Sequence, residues 1–269
     1  ELDLRNDIFS DYSKYVRPVQ NNSDIIDVEI GLAIQNLENF DQMKENIALN
    51  VWMRQNWNDA FLNWNENSTG IGSIAIGNHE SWVPDIELLN AANLPEIYTL
   101  EGGMLLYSSG DMMWSKPGVF TFSCPLDLHD FPFDVQKCKM KIGSWTLDDS
   151  KLNLIPNRDK SRQLDVMDSF SHSEWELKSY SIDVYNETRK CCPGKLFGIN
   201  KYDFKLKRYT HYYTLNMGMT ISLVIVSFII MLIKPDNLSR TGTAVFIPLT
   251  ICLFTLPVRT ISTTSMVSV

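Results

Sequence analysis

Residues 124–142 read CPLDLHDFPFDVQKCKMKI, in which two cysteines enclose 13 residues and an alternating segment follows. In that segment Cys138, Met140 and Ile142 alternate with three lysines. A period of two with apolar residues on one side is typical of a strand that buries one face. The stretch therefore predicts a β-strand that starts where a cysteine-bounded loop ends.

The same alternation recurs on both sides of this stretch. Turn signals separate the segments, at Ser109-Gly110-Asp111, Lys116-Pro117-Gly118 and Pro193-Gly194. Many short strands with such punctuation predict an antiparallel β-sandwich, and apolar residues at helical spacing from Asn6 to Tyr15 predict a short helix before it. The apolar positions of the further strands are Val28, Ile30, Leu32 and Ile34; Leu49, Val51 and Met53; Tyr180, Ile182 and Val184; and Tyr202, Phe204 and Leu206.

Charged residues become rare beyond residue 211. Two uncharged runs, Tyr212 to Ile233 and Thr241 to Val258, are long enough as helices to cross, or nearly cross, a bilayer. We predict an α+β membrane protein, with a β-sandwich domain over residues 1–208 and a transmembrane region over 209–269. The two helices are expected at about 212–233 and 241–258. The alternative is a pair of buried core helices.

The net charge of the chain indicates which kinds of partner it can bind. The chain has 24 basic and 32 acidic residues, and the part up to residue 211 carries the larger excess of acid. An acidic surface argues against a nucleic-acid partner, which would need a basic face. The four histidines are scattered without a catalytic or metal-binding spacing, so we predict neither an enzyme nor a metal site or cofactor.

Cysteines and sequons indicate an extracellular domain. Of the five cysteines, Cys191 and Cys192 are adjacent and Cys252 lies inside the second apolar run. The simplest interpretation of the count is two disulfide pairs, Cys124 with Cys138 and Cys191 with Cys192, and one membrane-buried thiol. The alternative for the adjacent pair is two free or metal-binding thiols. Asn-X-Ser/Thr sequons begin at Asn21, Asn67 and Asn186, where we expect glycosylation of a secreted or extracellular domain.

At this point the motifs resemble a known family. Segment 124–138, with its Phe-Pro-Phe-Asp core, resembles the namesake loop of the Cys-loop receptors. Trp82-Val-Pro-Asp85, Gly143-Ser-Trp145-Thr146 and Cys191-Cys192-Pro193 resemble the three principal binding loops of nicotinic acetylcholine receptors, and Asn50-Val-Trp52 with Trp57 resembles their complementary strand. The resemblance covers essentially the whole chain. It implies one subunit of a pentameric neurotransmitter-gated ion channel, with ligand bound between neighbouring subunits and a pore lined by the second helix.

The resemblance also implies which residues bind ligand. The family encloses a cationic amine in an aromatic box, but two of its tyrosine positions hold Leu89 and Arg189 here. Three alternatives follow: the ligand has an anionic group for Arg189, the chain serves only as a complementary face, or Arg189 turns outward and Tyr185 restores an aromatic wall. The expected principal-face residues are Leu89, Trp145, Tyr185, Arg189, Cys191, Cys192 and Phe197, and the complementary ones are Trp52, Met113 and Ser115.

Gating and pore residues are assigned by the same resemblance. The expected coupling residues, between the sandwich and the membrane helices, are Asp41, Phe131, Pro132, Phe133, Asp134 and Arg208. The expected pore residues are Arg240, Ile247, Leu249 and Thr250. The binding loops favour a cation channel, whereas Arg240 followed by Thr241 resembles the anion-selective branch, so cation selectivity is predicted and anion selectivity is the alternative.

The implied partners are a neurotransmitter-like or amphipathic small molecule, four further subunits and membrane lipid. We expect a multi-pass protein of the plasma membrane with the large domain outside. The family has four membrane helices, of which two can be read here, so the remaining helices are expected to be absent from this sequence. The alternative of another class is an immunoglobulin-like adhesion receptor ectodomain with a membrane anchor.

Overall fold

The structure, a computed structural model, describes residues 1–93, 96–97, 103–167, 170–231 and 250. The helices are α1 Leu2–Phe9, α2 Glu66–Thr69, α3 Lys160–Gln163 and α4 His211–Met231. The strands are β1 Ile26–Asp41, β2 Asn46–Asn58, β3 Ser73–Ile76, β4 Ile86–Leu88, β5 Glu96–Ile97, β6 Met104–Tyr107, β7 Asp111–Ser123, β8 Val135–Ser144, β9 Leu152–Pro156, β10 Leu164–Val166, β11 Trp175–Thr188 and β12 Leu196–Arg208.

The described strands form two sheets. One has the order β10-β1-β2-β7-β6-β3, with β5 beside β7 and β9 beside β1, and we call it the large sheet. The other has the order β11-β12-β8-β4, and we call it the small sheet. Pairing is antiparallel except where β9 and β10 run parallel to β1. The predicted β-sandwich is confirmed.

The core lies between the two sheets and follows the alternation seen in the sequence. Val28, Ile30 and Leu32 of β1 are fully buried, as are Met140 and Ile142 of β8. The lysines that alternate with them on β8 are exposed or half-buried on the other face. Burial of these apolar side chains between the sheets is the main favourable contribution to folding.

The first helix lies earlier than predicted. It covers Leu2–Phe9 instead of Asn6 to Tyr15, and the chain turns directly after it. Tyr12 explains the early end, because its hydroxyl donates to Asp59 at 2.6 Å and accepts the backbone N–H of Trp82 at 2.9 Å. A helix continued through this position would have to give up both contacts.

Two other local predictions were wrong in part. β11 is a strand, but Tyr180 and Val184 are 47% and 48% exposed rather than buried. β11 is the edge strand of the small sheet. Tyr180 and Val184 share a face with their buried partners Phe204 and Asn200, and Ile182 between them packs against the core, but at the edge this face is only partly covered. The proposed turn at residues 116–118 is part of β7, where Pro117 pairs in register with Trp52.

Cys124 and Cys138 form a disulfide bond that joins the end of β7 to β8. Both are buried in the core. The bond fixes the loop between them at one end of the sandwich, close to the start of α4.

Helix α4 is long and apolar enough to cross a membrane, and it alone meets that test among the described residues. Most of its side chains are exposed. Its start at His211 agrees with the prediction of residue 212, whereas residues 232 and 233 lie outside the described residues. The second predicted helix, 241–258, lies outside them too, apart from Thr250, which is helical.

One charged side chain in the sandwich gives a test of stability against pH. Lys116 is 9% exposed, and its Nζ lies 3.9 Å from the centroid of the Trp114 ring. Burial lowers the pKa of Lys116 to about 8, against 10.5 for a free lysine. Between pH 8 and 10.5 this lysine is neutral in the folded chain and still protonated in the unfolded chain. Its contribution to the free energy of unfolding therefore increases with pH across this interval, by on the order of 3 kcal/mol in total.

We therefore expect Lys116→Met to stabilise the chain at pH 7 by about 1–3 kcal/mol, because it removes the cost of burying a charge. The gain should shrink as the pH rises from 8 to 10, when the wild-type lysine becomes neutral. Thermal unfolding of both proteins across this range measures it. Lys139→Met, which changes an exposed lysine, is the matched control and should give no comparable gain at pH 7. Parallel pH profiles for wild type and Lys116→Met would contradict the assignment.

Candidate functional site

The first two principal loops are joined by one carboxylate. Asp85 accepts the hydroxyl of Ser144 at 2.6 Å and the backbone N–H of Thr146 at 2.6 Å, and its own carbonyl accepts the N–H of Trp145 at 3.0 Å. These bonds fix the backbone on both sides of Trp145. The indole itself is 64% exposed, so it is presented at the surface of the small sheet and not packed into the core.

Arg189 lies inside the principal face. Its Nη1 donates to the carbonyl oxygen of Trp145 at 2.8 Å and its Nη2 donates to that of Ser144 at 2.7 Å. The guanidinium carbon lies 4.1 Å from the centroid of the Phe197 ring, which is buried beneath it. The alternative in which Arg189 turns outward into solvent is therefore not what the structure shows.

Leu89 and Tyr185 lie on the same outer face of the small sheet. A Leu89 methyl group reaches the backbone at Gly143, which pairs in register with Ile199, and Ile199 pairs with Tyr185. The Tyr185 hydroxyl lies 3.4 Å from a carboxylate oxygen of Glu187. The role of Tyr185 in ligand binding stays a prediction.

Cys191 and Cys192 lie at the tip of the β11–β12 hairpin. Their sulfur atoms are 2.8 Å apart and both cysteines are free in the structure. This distance exceeds the length of a disulfide bond, about 2.05 Å. The vicinal disulfide expected from the cysteine count therefore stays a prediction. Among the described residues, no cluster of three metal-binding side chains includes either thiol.

The complementary residues share one face of the large sheet. Trp52 is 45% exposed, while Val51 and Met53 on either side of it are buried. Met113 and Ser115 on β7 have the same orientation, because Ser115 pairs with Arg54 and Met113 pairs with Asn56. The structure brings these three side chains together on the large sheet, whereas the principal residues lie on the small sheet.

At the other end of the sandwich, Arg208 forms a buried ion pair. Its Nε donates to Asp134 Oδ1 at 2.8 Å and its Nη2 donates to Oδ2 at 3.0 Å. Both side chains are almost fully buried, with 0% and 2% of their surface exposed. Burial alone would raise the pKa of Asp134, but the hydrogen bonds from Arg208 and Gln136 outweigh it and hold that pKa below its ordinary value.

Glu174 is the residue of this cluster that sequence reasoning missed. One of its carboxylate oxygens, Oε1, accepts hydrogen bonds from Arg208, from Gln42 at 3.0 Å and from the Tyr213 hydroxyl at 2.7 Å. It thereby connects the β1–β2 hairpin, the end of β12 and the first turn of α4. An isolated glutamate 34 residues before Arg208 carries no motif, so only its position before β11 could have drawn attention.

Comparison with known proteins agrees with this geometry. The family described as the neurotransmitter-gated ion-channel ligand binding domain matches residues 1–210. The chain belongs to the Cys-loop receptor family. Neuronal acetylcholine receptor subunit alpha-5 of Rattus norvegicus is 36% identical over 219 residues, covering 80% of this chain and 46% of that protein. Subunit alpha-2 of Pan troglodytes is 32% identical over 231 residues, covering 86% of this chain and 43% of that protein.

The ligand-binding domain of this chain is therefore similar to that of nicotinic receptor subunits. The chain spans less than half the length of these relatives. The family consists of ligand-gated ion channels and not of enzymes. An immunoglobulin-like adhesion ectodomain is no longer a candidate, because the family match covers the whole sandwich.

Of the other residues expected to couple the sandwich to the membrane helices, some lie at the junction with α4 and others do not. Phe131 contacts the junction, with its ring centroid 5.0 Å from that of Tyr213, and Pro132 is buried beside it. Phe133 is 63% exposed. Asp41 does not pair with Arg208, since its carboxylate accepts the backbone N–H groups of Met43 and Lys44 in the hairpin turn.

The expected pore and glycan positions of the receptor chain are less completely described. Arg240, Ile247 and Leu249 lie outside the described residues, and Thr250 is described as helical. Asn21, Asn67 and Asn186 are all exposed on the sandwich, so each is accessible to modification.

Proposed function

We propose that this chain is one subunit of a pentameric neurotransmitter-gated ion channel. The observation that carries the proposal is the division of its binding residues between two sheets. Trp145 and Phe197 lie on the outer face of the small sheet, and Trp52 lies on the outer face of the large sheet. A ring of subunits needs a head-to-tail interface, in which the two faces of each subunit differ. A ligand would then lie between the small sheet of one subunit and the large sheet of the next.

The ligand is a small molecule held against aromatic side chains. Trp52 and Trp145 offer exposed rings, and Ser115 and then Met113 follow along the neighbouring strand on the same face as Trp52. The relatives are named as acetylcholine receptor subunits, whose ligand carries a quaternary amine. Because Arg189 places a positive charge on the principal face, we propose that the complementary face is the one this chain offers to an amine. A ligand with an anionic group for Arg189 is the second candidate.

Binding is proposed to act on the pore through the Arg208 cluster. This cluster joins residues from the cysteine-bounded loop, the first hairpin and α4, so a shift of the sandwich bears directly on the first membrane helix. We place the sandwich, residues 1–208, outside the plasma membrane with glycans on its exposed sequons. Residues 209–269 would form the start of a multi-pass membrane region surrounded by lipid, with Arg240, Ile247, Leu249 and Thr250 in the pore.

Ionic current tests the proposal. The full-length protein is expressed in oocytes, alone and with a nicotinic partner subunit, and acetylcholine, an amphipathic acid and a zwitterion are applied. We expect ligand-dependent current whose reversal potential follows sodium, since the nicotinic-like domain favours a cation channel. A reversal potential that follows chloride would keep the channel and reverse the selectivity. The absence of current with every ligand, despite protein at the cell surface, would contradict the proposed function.

A further inference from the structure

The principal face already contains a cation. The Arg189 guanidinium lies over the buried ring of Phe197, 4.1 Å from its centroid, and donates to the carbonyl oxygens of Ser144 and Trp145 at 2.7 and 2.8 Å. A ring face and two carbonyl oxygens are the kinds of group that attract a bound ammonium ion. In this chain both are used by a side chain from the β11–β12 hairpin.

Two other cations of this surface are neutralised by carboxylates. Lys195 pairs with Asp148 at 2.8 Å, and Lys141 pairs with Glu187 at 3.2 Å. Within the described part of the chain, the ionic contacts of Arg189 include no carboxylate; its partners are two carbonyl dipoles and a ring. Its charge is therefore held by the same groups that would hold the charge of an amine ligand.

We infer that Arg189 is an intramolecular competitor that occupies the cation subsite of the principal face and excludes amine ligands from it. The inference rests on the proposed ligand site and specifies its regulation. An arginine is charged at every physiological pH, and its planar fork fits the two adjacent carbonyl oxygens. Because it is tethered, its effective concentration at the subsite is at least millimolar, and a free amine must displace it before binding.

Two features of the local structure keep the competitor in place. Asp85 fixes the backbone on both sides of Trp145, so the two carbonyl oxygens are held at a constant spacing. Residue 189 directly follows the last residue of β11, Thr188, which pairs with Leu196 on the neighbouring strand. The guanidinium is thus delivered from a hydrogen-bonded strand end, close to the ring that it covers.

Substitution of Arg189 tests the inference, because the vacated subsite can be titrated with a simple quaternary ammonium ion. Binding of tetramethylammonium to the purified full-length protein is measured by calorimetry and by quenching of tryptophan fluorescence, for which the exposed Trp145 is a reporter. We expect Arg189→Ala to bind this ion at least ten times more tightly than wild type. Lys190→Ala is the matched control, because it removes a neighbouring exposed positive charge without vacating the subsite.

The possible outcomes distinguish the competitor role of Arg189 from the proposed channel function. Equal affinity in wild type and Arg189→Ala, or an equal gain in Lys190→Ala, would overturn the competitor role. Should the alanine variant fail to fold, Arg189→Gln removes the charge while keeping an amide that can donate to the same carbonyls, and it should show a gain in the same direction that is smaller because the amide still occupies those oxygens. A tenfold gain without any ligand-gated current would refute the proposed channel function and leave Arg189 as the competitor.

Discussion

Replacing Arg208 by methionine is expected to lower the free energy of unfolding by about 3–5 kcal/mol, the cost typical of breaking a buried ion pair. The variant leaves Asp134 with 2% of its side chain exposed and no counter-ion. Since folded proteins are stable by only about 5–15 kcal/mol, this loss is a large part of the total. Thermal unfolding of the detergent-solubilised chain, followed by tryptophan fluorescence, measures it.

The neighbouring residue provides the control for this prediction. Lys207→Met removes the same charge on the same strand, but from an exposed position, so its effect should stay within about 0.5 kcal/mol. Removing both partners, as Arg208→Met with Asp134→Leu, should recover part of the lost stability, because the buried Asp134 charge is no longer left uncompensated and only the partly exposed Glu174 loses its cation. Equal stability of the Arg208 and Lys207 variants would show that the pair is not buried as described.

Replacing both Cys124 and Cys138 by alanine is expected to cost about 3 kcal/mol, the value for closing a loop of about 15 residues. The bond restricts the unfolded chain, and it also fixes the loop that carries Asp134 next to Arg208. The same unfolding measurement on the double variant checks the value.

The second cysteine pair is the control for the first. Substituting Cys191 and Cys192 by serine should change stability by less than about 0.5 kcal/mol, because adjacent residues at a hairpin tip close almost no chain. A loss in the tip variant as large as in the Cys124–Cys138 variant would contradict the assigned roles.

The sandwich was predictable because most of its strands alternate strictly. Ile30 and Leu32 on β1, or Met140 on β8, report a buried face by spacing alone. Spacing could not reveal that β11 is an edge strand, since Tyr180 and Val184 alternate as strictly as buried residues do, although each is nearly half exposed. Nor could it show that α1 ends before Tyr12, because the bonds to Asp59 and Trp82 that end it join distant parts of the chain.

The binding residues were predictable as a set, and their geometry was not. Motifs assigned Trp145 and Phe197 to one face, and the resemblance flagged Arg189 as a departure. The direction of the Arg189 side chain depends on two carbonyl oxygens, and backbone groups have no sequence signature. Glu174 escaped for a related reason, because it acts through contacts with segments that lie far from it in sequence.

The shared oxygen of Glu174 has a consequence for how movements are transmitted. A carboxylate oxygen offers about two lone pairs, yet Gln42, Arg208 and Tyr213 all donate to this one atom. The three donors therefore compete, and a shift of the helix that lengthens the tyrosine contact lets the other two tighten. The first hairpin and the first helix therefore share one acceptor atom, so a movement that changes the hydrogen bond of Tyr213 also changes that of Gln42.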